Sequence, residues 1–286
     1  MDTEKTTIVG LVPLYKPKSD EIQNIKKYIN KLDYCYLLDD SGYQNNEVCS
    51  ELIEGYSGRV EYILNPENLG LCASVNNGFK LAANMGADWV LIMNPDGTFQ
   101  NDAISIFKDY LRDYDSEDVA IIAPVFNIDR RPRKAENGHR QIRYADMTGC
   151  LYNMKILSIL NFYDQNTYFY GLDTEYCLRV RKSGYRIVEC SEAVLNHHPA
   201  QTFEIKIFNK TIFKCGKDVP QRFYYQFRSA YYINHKYHDF YNIIFHIYKF
   251  LKVVFLFDNK KEYMKMIKLG ICDAKRNYYG KKVDEY

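Results

Sequence analysis

The sequence lacks several short motifs that mark common nucleotide-binding and metal-binding sites. No GxxxxGK[ST] stretch is present, which excludes a Walker phosphate loop, and no GxGxxG follows the first predicted strand, which disfavours a dehydrogenase-type dinucleotide fold. None of the eight cysteines forms a CxxC pair, so neither a zinc ribbon nor a redox dithiol is expected. Scattered cysteines in a chain of 286 residues favour a reducing cytoplasm.

Long apolar runs are also missing. The first ten residues, MDTEKTTIVG, contain no apolar h-region, so we expect no secretory signal. The longest apolar segment, 243–257, has 15 residues and contains His246, Lys249 and Lys252, whereas a membrane-spanning helix needs about 20 apolar residues. The three polar residues recur at every third position and would form one stripe on a helix. This pattern permits a helix in a membrane interface and equally permits one packed on the rest of the protein, which we favour.

The net charge of +2 conceals an asymmetry along the chain. Residues 201–286 hold 17 Lys and Arg against 8 Asp and Glu, a net of +9, and the remainder is therefore at −7. The same segment holds 21 of the 44 aromatic residues. Such a region suits an anionic surface of phosphate or lipid headgroups, although a tyrosine-rich bundle with a solvated lysine face has the same composition. No nucleic-acid-binding motif accompanies it, so nucleic acid is not an expected partner.

Apolar runs alternate with helical patterns through the first 200 residues. The predicted strands are TIVGLVPLY (7–15), YCYLLDD (34–40), VEYILN (60–65), WVLIMN (89–94) and VAIIAPVF (119–126). Alternation of this kind predicts an α/β fold with a mostly parallel sheet, which binds ligands beyond the carboxyl ends of its strands. We therefore predict a domain at 1–200 that carries the site, followed at 201–286 by an aromatic, basic, mainly helical region.

Asp96 ends one of these strands, in LIMNPDGTF, between Pro95 and Gly97. A sheet that binds phosphate without a glycine-rich loop needs another positive charge, and a divalent cation with oxygen ligands can supply it. Asp96 is a candidate ligand for such a cation. Taken alone, an Asp-Gly pair at a strand end is more often only a turn.

Five motifs occur in a characteristic order: LLDDS, NPENLGLCASVNNG, NPDGT, GLDTEYCLRVRKSGY and NHH. Over residues 7–200 this order resembles the inverting glycosyltransferases of family two, above all bacterial members that transfer rhamnose or galactofuranose to polysaccharides. The resemblance implies a Rossmann-like nucleotide-diphospho-sugar transferase (GT-A) domain with a mostly parallel mixed sheet and a C-terminal helical extension. It also implies a dTDP- or UDP-linked donor, Mn²⁺ or Mg²⁺, and a glycan or lipid-linked oligosaccharide acceptor. The expected location is the cytoplasm, including the inner face of the cell membrane if the C-terminal region touches lipid.

The resemblance assigns the donor-side residues one by one. Pro13 and Tyr15 would line the nucleotide pocket, and Asp39 would bind the pyrimidine. Asn68, Gly70 and Asn76 would shape the pocket, with Asn76 contacting the nucleotide. Arg228 would approach the diphosphate. Asp96 matches the last position of the family's D-x-D motif and would bind the metal. The first position is Asn94 here, which removes one negative charge. His198 matches a late histidine ligand of the metal, with His197 as the alternative.

Asp173 matches the aspartate of the family's E-D motif, the general base. An inverting transfer is an in-line displacement at the anomeric carbon, so the acceptor hydroxyl must lose its proton as it attacks. Leu172 replaces the usual acidic neighbour, and Glu175 follows two residues later, so the assignment of the base to Asp173 needs a structural test. The simpler role for Asp173 is a helix cap.

Two other functions remain open at this point. A sugar-nucleotide nucleotidyltransferase shares the α/β sheet and the metal carboxylates, but needs a glycine-rich basic loop that VPLYKPK lacks. A non-catalytic module that binds glycan or nucleotide would bind a sugar nucleotide without turning it over. The sequence leaves the donor sugar, the acceptor and the oligomeric state undetermined.

Overall fold

The apolar runs form strands, and the amphipathic segments between them form helices. The computed structural model describes residues 6–197, 200–208 and 210–282. The strands are β1 Ile8–Leu14, β2 Tyr34–Asp39, β3 Val60–Leu64, β4 Trp89–Ile92, β5 Thr98–Phe99, β6 Val119–Asn127, β7 His139–Gln141, β8 Cys150–Asn153, β9 Arg186–Asn196, β10 Gln201–Ile207 and β11 Lys210–Lys217. The helices are α1 Ser19–Ile29, α2 Asn46–Gly55, α3 Leu71–Asn84, α4 Ala103–Asp113, α5 Met154–Ile159, α6 Leu172–Lys182, α7 Pro220–Tyr237, α8 Phe240–Leu256 and α9 Lys260–Lys275, and a short 3₁₀ helix spans Gln165–Thr167.

Nine of these strands form one mixed sheet in the order β3-β2-β1-β4-β8-β6-β9-β5, with β7 paired to β9. The four strands β3, β2, β1 and β4 run parallel, while β8 is antiparallel to both β4 and β6. Because the parallel strands all end at one edge, the loops that follow β1, β2, β3 and β4 meet there. The polar strand-end residues of the sequence are brought together in this way.

Helices cover both faces of the sheet. On one face α1, α2 and α4 bury residues such as Ile22, Leu52 and Phe107. On the other, α3, α5 and α6 bury Phe79 and Tyr176 among others. The strands of this sheet are accordingly apolar on both sides and read as nearly continuous hydrophobic runs, as expected for a covered parallel sheet.

The C-terminal region begins with a β-hairpin, which the sequence patterns did not predict. Strands β10 and β11 pair with each other in a separate two-stranded sheet, and three helices follow. The hairpin residue Cys215 packs with Phe223 of α7 and Val253 of α8 in a small third core. Helices α7 and α9 approach so closely that a Cβ at Gly270 would overlap the carbonyl of Tyr224.

Helix α8 has an inverted distribution of polarity. Asn242 and Lys252 are buried on its inner side, where the Lys252 ammonium donates to the Gly216 carbonyl at 2.9 Å. Its outer side exposes large apolar residues: Phe240, Ile244, Ile247, Leu251 and Phe255. The polar stripe of the sequence thus faces the protein interior. Within the described residues, no helix has both the length and the apolarity required to cross a bilayer.

Candidate active site

Two buried carboxylates organise the strand edge after β2. Asp39 is fully buried, and its oxygens accept from Ser41 N at 2.9 Å, Asn45 Nδ2 at 2.7 Å and the Tyr62 hydroxyl. Asp39 thereby fixes the loop that follows β2. This placement gives no support to the predicted contact between Asp39 and a pyrimidine base, because its hydrogen-bonding capacity is used within the protein.

Asp40 and Gly70 hold the loop before α3. Asp40 accepts from the backbone N–H of Leu69 and of Gly70, each at 2.9 Å, and burial raises its pKa. Asn68 Oδ1 also accepts from Gly70 N at 3.0 Å. Gly70 has φ of +86°, and a Cβ there would overlap the Tyr168 ring. Only glycine fits this position, and the role of Asn68 and Gly70 in shaping a nucleotide pocket stays a prediction.

Asn76 has a different neighbour from the predicted one. Its amide donates to the Tyr163 carbonyl at 2.9 Å and accepts from Tyr163 N at 3.0 Å, and the residue is buried. The side chain ties α3 to the segment before the 3₁₀ helix. We therefore leave Asn76 out of the donor site. Pro13 and Tyr15, by contrast, lie at the open end of β1, where Tyr15 is 56% exposed.

Residues 94–97 form a tight turn directly after β4. Gly97 N donates to the Asn94 carbonyl at 3.0 Å, and Asn94 N donates to the Thr148 hydroxyl at 2.9 Å. A Cβ at Gly97 would press against Met93 and Thr148, so the glycine permits this packing. Asp96, at the tip of the turn, has a side chain that is 53% exposed.

His197 lies beside this turn. Its Nδ1 is 3.9 Å from Oδ1 of Asp96, and the residue is buried. His198, the first choice for the metal ligand, lies outside the described residues. Among the described residues no group of three or more His, Cys, Asp and Glu side chains is arranged to hold a metal. Asp96 and His197 nonetheless suit a partial site, because Mg²⁺ and similar ions are often bound by one or two protein ligands plus waters and substrate phosphates.

Asp173 lies in the first turn of α6 and lines a cavity of about 340 Å³. The cavity lies between the start of α6, the hairpin strand β11 and helices α7 and α8. Oδ1 of Asp173 accepts from Thr174 N at 2.7 Å. The N-cap position of α6 is Gly171, so Asp173 is not the cap of this helix, and its side chain faces a space that a ligand can enter.

Asp146 shares this cavity and was missed by sequence reasoning. Its carboxyl lies within hydrogen-bonding reach of that of Asp173. Desolvation and the charge of Asp146 raise the pKa of Asp173 to about 7. Asp146 is solvent-exposed, but it lines the cavity, and desolvation by the surrounding protein raises its pKa as well. A carboxyl whose pKa is near neutrality can accept a proton at working pH.

Glu175, the alternative base, is engaged elsewhere. It is fully buried and binds Arg179 of α6 at 2.7 Å, Lys236 of α7 at 3.0 Å and the Tyr237 hydroxyl. These contacts join α6 to α7. Glu175 has no accessible surface and does not line the cavity, whereas Asp173 does.

Arg228 is enclosed within the C-terminal region. It is fully buried, and its guanidinium donates to the carbonyls of Tyr279 at 2.8 Å and Gly280 at 2.6 Å and lies over the rings of Tyr168 and Tyr225. This placement gives no support to the predicted approach to a diphosphate, so Arg228 is not included in the donor site.

The segment before β8 connects the strand edge to the cavity. Thr148 holds the Asn94 turn, and Asp146, two residues earlier, lines the cavity with Asp173. Ala200, three residues after His197, also lines it. Among the described residues Asp96 is not part of the cavity wall, but it lies on the adjoining strand edge. Two short segments, 146–148 and 197–200, therefore join the two predicted halves of the site along the chain.

The comparison with known families identifies the chain at this point. The profile of Glycosyl transferase family 2 matches residues 22–175, more than half of the 286 residues. The chain belongs to glycosyl transferase family 2. It is thus a glycosyltransferase enzyme, and the matched segment includes Asp39, Asp96 and Asp173.

Two individual proteins extend this result. The chain is 23% identical to the dTDP-rhamnosyl transferase RfbF of Shigella flexneri, across 96% of this chain and 97% of that protein. The crystal structure of GalNAc-T7 with UDP, GalNAc and Mn²⁺ superposes with a TM-score of 0.53 at 11% identity, covering 71% of this chain and 44% of that one. The family match and the superposition confirm the predicted GT-A fold, with its large mixed sheet between two layers of helices.

Proposed function

We propose that this glycosyltransferase is metal-dependent and inverting, and that it moves a sugar from a nucleotide diphosphate to a hydroxyl of a glycan or lipid-linked glycan in cell-surface polysaccharide synthesis. The observation that carries the proposal is the position of Asp173, whose carboxyl faces a cavity next to the strand edge of Asp96. Rhamnose on dTDP is the favoured donor, because a dTDP-rhamnosyl transferase is similar over nearly the whole chain. Galactofuranose on UDP is the second choice.

The Asp173 carboxylate would take the proton of the acceptor hydroxyl. The hydroxyl oxygen then forms a bond to the anomeric carbon, and the bond from that carbon to the diphosphate breaks on the opposite side. Its electron pair leaves with the nucleoside diphosphate, and the sugar inverts. The raised pKa of Asp173, about 7, makes the carboxylate basic enough to accept a proton without being fully protonated at neutral pH.

Asp96 and His197 are the described residues that would hold a divalent cation on the donor side. A bound cation would neutralise charge on the departing diphosphate. The solved structure with UDP and Mn²⁺ is consistent with such a donor site, although it shares only 11% of its sequence with this chain.

The outer side of α8 supports a peripheral membrane contact. Five large apolar residues are exposed there, and the last 86 residues carry a net charge of +9. Apolar side chains next to basic ones suit the interface of an anionic bilayer. The inner side of α8 lines the cavity, so a lipid-linked acceptor would reach Asp173 from the membrane that α8 contacts.

The test is donor turnover with Mn²⁺ and a panel of dTDP-rhamnose, UDP-galactofuranose, UDP-galactose, UDP-glucose and UDP-N-acetylglucosamine. We expect one donor to stabilise the protein thermally and to be consumed when acceptor is present. Asp173→Asn should retain that stabilisation and lose transfer, and NMR of the product should show inverted anomeric configuration. Full turnover in Asp173→Asn would overturn the base assignment.

The two alternative functions give different results. A nucleotidyltransferase would release pyrophosphate from dTTP and a sugar 1-phosphate. A non-catalytic module would bind a sugar nucleotide in calorimetry and yield no product with any acceptor. Either result would replace the proposed function.

A further inference from the structure

Three charged side chains from distant parts of the chain meet in the cavity. Asp146 comes from the segment before β8, Asp173 from the first turn of α6, and Lys249 from α8 in the C-terminal region. Lys249 is the middle residue of the polar stripe on the inner side of α8. Its ammonium donates to Oε1 of Gln226 on α7 at 3.0 Å, which holds it in the cavity wall.

The two carboxyl groups affect each other strongly. They lie within hydrogen-bonding reach, and two carboxylates in one site cannot both ionise easily. Asp146 therefore raises the pKa of Asp173. The positive charge of Arg130, on the loop after β6, lowers the pKa of Asp146. At pH below about 7 the pair retains a proton that it loses as pH rises.

Lys249 opposes the effect of Asp146. Its positive charge lowers the pKa of both Asp173 and Asp146. Burial and the nearby charge of Lys252 lower the pKa of Lys249 itself to about 8, while Asp218 and the two cavity carboxylates favour its charged form. Lys249 therefore carries a positive charge at neutral pH.

Further acidic and basic side chains line the same cavity, namely Arg130, Arg131, Lys214, Asp218 and Lys252. Four other titratable groups near the cluster are uncharged at working pH. Cys150, Cys177 and Tyr163 face Asp173, and burial raises the pKa of each. His246 lines the same cavity on α8, and burial with the charge of Lys249 lowers its pKa to about 3. Desolvation has the largest influence on the pKa of Asp173, followed by the charge of Asp146, the hydrogen bonds from Thr174 and the charge of Lys249.

We propose that Asp146 and Lys249 are positioning residues that set the protonation of the general base from opposite sides, so that the C-terminal helices complete the active site. The inference rests on the proposed function of Asp173. In the transfer, the acceptor proton goes to Asp173, the new glycosidic bond forms at the hydroxyl oxygen, and the bond to the diphosphate breaks. Asp146 shares a hydrogen bond with the protonated base, and Lys249 stabilises the ionised one.

The pH dependence of kcat tests this inference. Asp146→Asn removes a negative charge, so the pKa of Asp173 falls and the rise of kcat with pH should move to lower pH, by roughly one unit or more. Lys249→Gln removes a positive charge, so the same rise should move to higher pH. Lys268→Gln is the control for loss of a lysine charge, because Lys268 is exposed on α9 and does not line the cavity. In this variant the midpoint of the rise of kcat with pH should remain at the wild-type value.

A second measurement does not depend on turnover. In protein labelled with ¹³C at the aspartate carboxyl carbon, NMR titration gives the midpoint of Asp173, identified by its loss in Asp173→Asn. The midpoint should again move down in Asp146→Asn and up in Lys249→Gln. Unchanged midpoints, or shifts in the same direction in the two variants, would overturn the inference. Opposite shifts in a protein that transfers no sugar would leave the cluster intact and reject the proposed function.

Discussion

Nδ1 of His197 lies 3.9 Å from Oδ1 of Asp96, across the edge between the turn after β4 and the end of β9. Two ligands about 2.1 Å from one ion are about 3 Å apart at a right angle and about 4.2 Å apart when opposite, so the observed separation lies within the range that one cation can span. Asp96→Ala should therefore abolish the Mn²⁺-dependent binding of dTDP. His197→Ala should weaken this Mn²⁺-dependent binding by at least about tenfold. Isothermal titration with and without Mn²⁺ measures both effects.

Asp113→Ala is a suitable control for these variants, because Asp113 lies at the end of α4 and pairs with the neighbouring Arg112. Binding by Asp113→Ala should equal that of the wild type. Equal Mn²⁺ dependence in His197→Ala and the wild type would remove His197 from the site.

Glu175 should be a structural rather than a catalytic residue. Glu175→Gln leaves Arg179 and Lys236 without their shared carboxylate, and breaking a buried ion pair typically costs about 3 kcal/mol. We expect the free energy of unfolding in urea to fall by about that amount, while Asp173→Asn lowers it little. A Glu175→Gln protein with wild-type stability and no transfer would instead assign the base to Glu175.

Gly70 and Gly86 offer a matched pair for the loop before α3. Both have positive φ, but only at Gly70 would a Cβ overlap another residue, the Tyr168 ring. Gly86→Ala should cost about 1–2 kcal/mol from backbone strain alone. Gly70→Ala should cost at least about 1 kcal/mol more and should also weaken donor binding, because Asp40 holds this loop through Gly70 N. Equal losses of unfolding free energy in the two variants would show that Tyr168 does not restrict the loop.

The outer side of α8 should mediate binding to anionic lipid. Phe255 is 72% exposed, and burying such a side chain in a membrane interface contributes about 1.5–3 kcal/mol. Phe255→Asp should therefore lower co-flotation with vesicles of phosphatidylglycerol and phosphatidylcholine about tenfold.

Ile159→Asp, at an exposed apolar position on α5, controls for charge and exposure and should bind vesicles like the wild type. Unchanged flotation of Phe255→Asp, or a wild-type protein that does not float with vesicles, would reject the membrane contact.

The local patterns of the sequence were sufficient for the first half of the fold. The five predicted strands appear as β1, β2, β3, β4 and β6, because each is an apolar run bounded by turn residues. Asp96 was placed correctly at a strand edge for the same reason. The short strands β5 and β7 and the hairpin β10–β11 were not predicted, since pairing with distant partners stabilises them and leaves no strong local pattern.

The roles of individual side chains stay predictions where the structure shows only local contacts. Asn76 on α3 and Arg228 on α7 bind backbone atoms of Tyr163, Tyr279 and Gly280. A motif fixes the residue type at a position. It does not show which neighbouring loop will pack over the side chain and use its hydrogen bonds.

The sequence by itself determined the alternation of strands and helices, the carboxylates at the strand ends, the helix start at Asp173 and the polar stripe of 243–257, because each depends on residues close together in the chain. Tertiary structure alone decided that this stripe faces inward and that Asp146, Asp173 and Lys249 share one cavity. The physical reason is that electrostatic coupling depends on distance through space and on the water excluded between groups, and chain folding sets both.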